Sequence, residues 1–221
     1  MAVPVVSLSP EDFPEGVKLP ELSRSKLVSD FRVCVYCGSS CQCDPIYLDA
    51  AERLGRELAR NSVTVVYGGG AVGLMGRLAD GALAEGGKVI GVIPDFMNAL
   101  EWGHPGITEL RVVRDMHKRK HLMIQNANAV VALPGGSGTL EELLEAISLK
   151  RLSLYLGPIV ILNTRSYFDS LLLALQKCVT ERFMDPRHPS MWSVVSEPVE
   201  VLPAIRSTPP WDSGNLSFAR M

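Results

Sequence analysis

Apolar residues fall in short runs separated by polar, glycine- or proline-bearing stretches, and their spacing switches between two periods along the chain. The runs Phe31 to Tyr36, Val63 to Tyr67, Lys88 to Ile93, Glu109 to Val113, Ala129 to Leu133, Pro158 to Leu162 and Trp192 to Val195 predict strands. They are too short for independent helices and rich in β-branched types. Between them the apolar positions recur at helical spacing. Asp44-Pro45 predicts an N-cap with proline at the first helical position, opening a helix to about Arg60. Its apolar face is Ile46, Leu48, Ala51, Leu54 and Leu58. A second helix runs through Ala84 and is closed by Gly86-Gly87. Asp115 caps a third, and a fourth begins at Thr139 with Leu140, Leu143, Leu144 and Ile147 at helical spacing. Ser166 caps a long helix to about Phe183, and Glu197 to Ile205 predicts a short one.

Strands alternating with helices indicate βαβ units, hence an α/β fold: a Rossmann-like, doubly wound parallel sheet with helices on both faces. Residues 1–30 carry no sustained period and read as an irregular N-terminal arm, residues 31–206 as a single domain, and residues 207–221 as a C-terminal tail.

Composition narrows this further. The chain has 221 residues, 47% of them hydrophobic, enough for one sizeable core. A formal net charge of −2 gives no reason to expect a nucleic-acid partner. No apolar run approaches the roughly 20 residues of a membrane span, and no basic stretch followed by an apolar one marks a secretion signal. A cytoplasmic protein is expected. The five cysteines, four of them crowded between Cys34 and Cys43, are not a disulfide framework. The Cys34-x-x-Cys37-x-x-x-Cys41-x-Cys43 cluster has zinc-ligand residue types. However, Cys34 lies in a predicted buried strand and no histidine is near, so free cysteines are expected and no metal.

The candidate chemistry lies in three turns that each follow a strand: Cys37-Gly38-Ser39-Ser40, Gly68 to Gly76, and Pro134 to Thr139. In a parallel sheet they share one edge, where ligands bind. The third turn is the most informative. Pro134 stops a strand, glycines let the backbone turn, and a helix follows in which Thr139 and Glu142 have the spacing of a capping box. Free N–H groups and the positive end of a helix dipole suit a phosphate. The same pattern also serves a tight packing turn, and it is neither the lysine-bearing P-loop nor a full G-x-G-x-x-G fingerprint.

Glu142 would bring a carboxylate close to any anion held there. It reads as an acid-base or electrostatic group or as a helix-start cap, with Glu141 beside it as a solvated neighbour or a sharer of its site. Lys118, Arg119 and Lys120 lie early in their helix, where cations oppose the dipole. They imply a nearby anion or carboxylate, or else a solvated basic face. His117, a lone histidine, reads as structural.

Four segments together carry a resemblance. They are Pro134-Gly135-Gly136-Ser137-Gly138-Thr139-Leu140-Glu141-Glu142, Cys37-Gly38-Ser39-Ser40, Gly68-Gly69-Gly70-Ala71-Val72-Gly73-Leu74-Met75-Gly76 and Asp115-Met116-His117-Lys118-Arg119-Lys120. In type and order they are similar to the Lonely Guy family of cytokinin-activating nucleoside 5′-monophosphate phosphoribohydrolases, often described as possible lysine decarboxylases. The resemblance covers about residues 31 to 185.

It implies a nucleotide-binding catalytic domain that hydrolyses the N-glycosidic bond of an AMP-type nucleotide, giving free adenine or an N6-substituted adenine and ribose 5-phosphate, with no cofactor. It also implies Arg119 and Glu142 as the catalytic pair. Gly136, Ser137, Gly138 and Thr139 would hold the 5′-phosphate with Ser39 as helper, and Leu140 and Glu141 complete the motif. Glu101 and Lys120 fall at nucleotide-contacting positions, and Ser148 takes the place of a threonine. A homodimer is implied, built on long helices with the site at or near the interface. Leu149-Lys150-Arg151 stands where many members carry Trp-x-Gln. Two other classes compete: a non-catalytic nucleotide or cofactor carrier of the same fold, which needs the turn but not the pair, and a decarboxylase, which needs a Schiff-base lysine with pyridoxal phosphate.

Overall fold

The computed structural model describes residues 31–100 and 102–211. The N-terminal arm, Glu101 and most of the C-terminal tail therefore lie outside the described residues.

Among the described residues seven strands form one sheet: β1 (Arg32–Tyr36), β2 (Thr64–Tyr67), β3 (Val89–Pro94), β4 (Glu109–Val113), β5 (Ala129–Ala132), β6 (Ile159–Leu162) and β7 (Ser193–Val195). All neighbours pair in parallel, in the order β4-β3-β2-β1-β5-β6-β7. The inner strands are buried along their length, as continuous apolar runs such as Ala129-Val130-Val131-Ala132 require when both faces are covered.

Helices α1 (Pro45–Arg60) and α2 (Gly73–Ala84) cover one face together with α7 (Val201–Ser207). On the other face lie α4 (Met116–Ile124), α5 (Ser137–Arg151) and α6 (Asp169–Thr180). A short helix α3 (Asp95–Asn98) follows β3. The sheet grows outward from β1 to β4, then returns to place β5 on the other side of β1. The change of direction between β1 and β5 opens the crevice at which such folds bind ligands.

Most predicted elements stand within a residue or two of their expected ends, and the exceptions have local causes. Asp44 accepts a hydrogen bond from the Ile46 amide at 3.1 Å, as an N-cap should. Ile46 itself is exposed, and the buried stripe of α1 starts one turn later at Ala50. Helix α5 begins at Ser137 with Gly136 as N-cap and no side-chain cap, so Thr139 and Glu142 do not form a capping box. The chain does contain one, at Glu197 and Glu200 before α7. Ser166 does not cap α6. It has φ +58° within a 3-10 turn, Thr164–Ser166, and the helix starts at Asp169.

Cys34 and Cys37 are buried in the cores on opposite faces of the sheet, as residues three apart along a strand must be. Cys41 is exposed and all five cysteines are free. The cluster therefore has no common centre for a metal.

Candidate active site

The turns after β2, β1 and β5 are neighbours on the carboxyl edge because those strands are neighbours in the sheet. The Gly38 amide donates to the Pro134 carbonyl at 3.0 Å, and the Met75 amide donates to the Gly38 carbonyl at 3.2 Å. All three loops are thus joined through the backbone of the middle one. Beside them opens a cavity of about 300 Å³ whose wall includes Ser39, Ser40, Tyr47, Gly135, Gly136 and Tyr167.

At the head of α5, Gly136, Ser137 and Gly138 are exposed while Thr139 is buried. The first amides of a helix lack intrahelical acceptors, so this end presents donors and the positive pole of the dipole towards the crevice. The Thr139 side chain lies so close beneath Gly135 that a Cβ there would collide with its hydroxyl. Glycine is needed here for close approach.

One turn further along α5, Glu142 turns inward. Its Oε1 accepts from Arg119 Nη1 at 2.9 Å, and both side chains are only 6% exposed. Arg119 reaches this point from the first turn of α4. Its Nε donates to the Val92 carbonyl at 3.0 Å and its Nη2 to the Gly68 carbonyl at 3.1 Å. The guanidinium is thereby fixed by β3, the β2 turn and α5 together. A Cβ on Gly68 would occupy the space that Nη2 takes, so a glycine on the second turn is part of the arginine's seat. Burial pushes the Glu142 carboxyl up and the Arg119 guanidinium pulls it back, with a net direction above the usual glutamate range.

Two of the three cations whose position opposed the helix dipole, Arg119 and Lys120, have carboxylate partners. Lys120 pairs with Glu141 and, at 3.2 Å, with Glu145. Burial works against the Lys120 charge, but the two carboxylates more than offset it and hold the amine above the ordinary lysine range. Glu141 is therefore the counter-ion of Lys120 rather than a merely solvated neighbour. His117 and Lys118 are exposed.

Leu140 is half-buried behind the turn. Ser148 is exposed and its hydroxyl donates to the Leu144 carbonyl at 2.8 Å. It lies on the side of α5 that carries Glu141 and Glu145, away from the Glu142 side. Glu101 lies outside the described residues. Sequence reasoning passed over Tyr167, which lines the cavity from the loop after β6. The available signal was its place after a strand on the same edge. No group of three or more metal-ligating side chains comes together among the described residues.

Residues 75–205 match the family model described as "Possible lysine decarboxylase". Over 185 residues the chain is 42% identical to a protein of Oryza sativa subsp. japonica named a probable cytokinin riboside 5′-monophosphate phosphoribohydrolase, covering 83% of this chain and 82% of that one. It is 43% identical over 176 residues to a cytokinin riboside 5′-monophosphate phosphoribohydrolase of Rhodococcoides fascians, covering 79% and 89%. Among solved structures, the molybdenum cofactor binding protein of Rippkaea orientalis superposes with a TM-score of 0.64 at 21% identity, covering 82% of this chain and 98% of that one. At that identity the likeness is one of fold alone.

Proposed function

The chain belongs to the Lonely Guy family of phosphoribohydrolases, and from that premise we propose that it hydrolyses the N-glycosidic bond of AMP-type 5′-monophosphates. The products are a free base, adenine or an N6-substituted adenine such as a cytokinin, and ribose 5-phosphate. The observation that carries the reading is the buried Arg119–Glu142 pair set one turn behind a phosphate-type helix N-terminus.

In this proposal the amides from Gly136 to Thr139 hold the 5′-phosphate. Glu142 lies five residues along α5 from Ser137, about 7.5 Å of helix rise. A nucleotide anchored by its phosphate can thus bring C1′ beside the carboxylate. Water adds to C1′ as the C1′–N bond breaks, the transition state is oxocarbenium-like, and the leaving base takes up a proton. The Glu142 charge stabilises that transition state, in a site already ordered before substrate arrives. Arg119 places one N–H of each of its three nitrogens on a protein acceptor, Glu142 among them, and so orients that carboxylate. Lys120, Leu140 and Glu141, like Glu101 and Ser148, are assigned substrate contacts on the family resemblance alone.

A carrier needs the phosphate turn but has no use for a buried ion pair, whose desolvation is costly unless geometry repays it. Decarboxylation through pyridoxal phosphate does not fit the lysines. A Schiff-base lysine needs a lowered pKa close to the phosphate turn. Lys120 is near the turn but shifted upward. Lys150 is lowered to about 8 by burial, yet it lies thirteen residues down α5 from Ser137, roughly 20 Å away.

We further propose a homodimer in the cytoplasm. Leu154, Leu173 and Phe183 are 72%, 70% and 73% exposed on or beside the helices of one face, which suits burial against a second copy. Five free cysteines suit a reducing compartment. No helix among the described residues is long and apolar enough to cross a membrane.

The test of function is product analysis after incubation with AMP and, separately, an N6-prenylated AMP, without added metal or cofactor. Equimolar free base and ribose 5-phosphate are expected from at least one of them. Binding of both nucleotides with no base released would favour the carrier.

A further inference from the structure

We propose that Tyr167 is a positioning residue for the phosphate turn, acting by locking the Gly135–Gly136 peptide in the orientation that an anion requires. The inference rests on the phosphate reading above and assigns a role to a loop outside the four motif segments.

The turn Pro134-Gly135-Gly136-Ser137-Gly138 has three glycines in five residues, a backbone with little intrinsic preference for one conformation. A peptide flip between Gly135 and Gly136 would replace an N–H facing the anion with a carbonyl oxygen that repels it. One contact holds the preceding peptide and a second opposes the flip itself. The Gly38 amide takes the Pro134 carbonyl at 3.0 Å. The Tyr167 hydroxyl donates to the next carbonyl, that of Gly135. In a planar trans peptide the carbonyl and the following N–H point in opposite directions. With the Gly135 oxygen held by Tyr167, the Gly136 N–H is directed away from the tyrosine and stays available to an anion.

Tyr167 is itself held in place from several sides. Its ring packs edge-on against Tyr47, with centroids 5.8 Å apart, and against Phe168 at 5.0 Å. Phe168 is buried, and its amide donates to Asn163 Oδ1 at 2.7 Å. The two residues before the tyrosine, Arg165 and Ser166, have φ +52° and +58°, a left-handed pair that side chains disfavour. Arg165 is tied down by an ion pair with Asp44, the N-cap of α1. A strained turn fastened to the next loop delivers one hydroxyl to one carbonyl of the phosphate turn. This is the arrangement expected of a group whose value lies in preorganisation.

The test is Tyr167→Phe, which removes the hydroxyl and keeps the ring packing. Affinities for AMP, ribose 5-phosphate and adenosine are measured calorimetrically, beside the melting temperature and the steady-state constants for AMP. AMP and ribose 5-phosphate should bind roughly five- to tenfold more weakly, the worth of one hydrogen bond. Adenosine, which lacks the phosphate, should stay within about twofold, and KM should move more than kcat. AMP affinity unchanged, or AMP and adenosine weakened alike, overturns the proposal. Wild-type protein that binds the phosphorylated ligands but releases no base overturns the hydrolase reading and leaves the Tyr167 comparison intact. Wild-type protein that binds neither phosphorylated ligand overturns the phosphate subsite itself.

Discussion

Arg119 Nη1 stands 2.9 Å from Glu142 Oε1, although the two residues are 23 positions apart and come from the helices that precede and follow β5 in the chain. Each neutralises the other in a site from which water is nearly excluded. Removing one partner therefore leaves an uncompensated buried charge, which costs about 3–5 kcal/mol. Arg119→Ala should lose stability on that scale in urea denaturation, and its base release should fall at least about a hundredfold. The double variant Arg119→Ala/Glu142→Ala should regain part of the stability and none of the activity. An Arg119→Ala protein as stable as wild type would mean that the pair is not buried in solution.

The raised Glu142 carboxyl sets the pH dependence of turnover. Because the folded value lies above the unfolded one, the group's contribution to stability is complete below the unfolded value and is lost as pH rises through the folded one. Activity runs the other way, since the carboxylate is the working form. The acid limb of kcat/KM should fall above the ordinary glutamate range, and Glu142→Gln should abolish that limb along with most of the rate. Profiles between about pH 4 and pH 8 would show it. A limb at the ordinary glutamate value would contradict a buried carboxyl.

Gly68→Ala tests the seat of the arginine. The new methyl would take the place of Nη2 and push the guanidinium off the Gly68 carbonyl. Base release should drop by about a hundredfold, the scale of a misplaced catalytic group, while AMP affinity changes little because the phosphate turn is untouched. Equal losses in rate and affinity would place the damage elsewhere.

Lys150 offers a test of stability away from the chemistry. Its amine donates to the Gly157 carbonyl at 2.8 Å and lies 5.8 Å from the Trp211 ring centroid, and burial lowers it from 10.5 to about 8. A depressed value means stability that is complete above the unfolded value and lost as pH falls towards the folded one. Wild-type protein should gain stability between about pH 8 and pH 10.5. Lys150→Met should be more stable at neutral pH by roughly 1–3 kcal/mol and should lack the contribution that rises over that window. Identical pH–stability curves for the two proteins would count against a buried amine.

The sheet and its binding edge were legible because they depend on local patterns. Buried runs such as Ala129 to Ala132 and the N-caps Asp44 and Asp115 are set by neighbours within a few residues. The misreadings share one cause. Thr139 and Glu142 have capping-box spacing, but Arg119 claims the Glu142 carboxylate, and a rule of local spacing cannot see a residue on another helix. Ser166 has the right type for an N-cap, yet its left-handed backbone is imposed by a loop fastened to Asp44. Within the basic run Lys118-Arg119-Lys120, the conflict with the helix dipole did betray carboxylate partners for Arg119 and Lys120. Which carboxylate met which cation required the packing of α4 against α5. Tyr167 carried no motif signal, because its function is to hold a carbonyl rather than to touch a ligand.

In the proposed reaction Glu142 works beside a phosphate held at the head of α5. The most direct measurement compares wild type and Glu142→Gln for AMP binding and for release of free base from AMP or N6-prenylated AMP in the same preparation. AMP affinity should stay within a few-fold of wild type, and base release should fall by at least about a hundredfold. Base release by Glu142→Gln at the wild-type rate would contradict this role for Glu142.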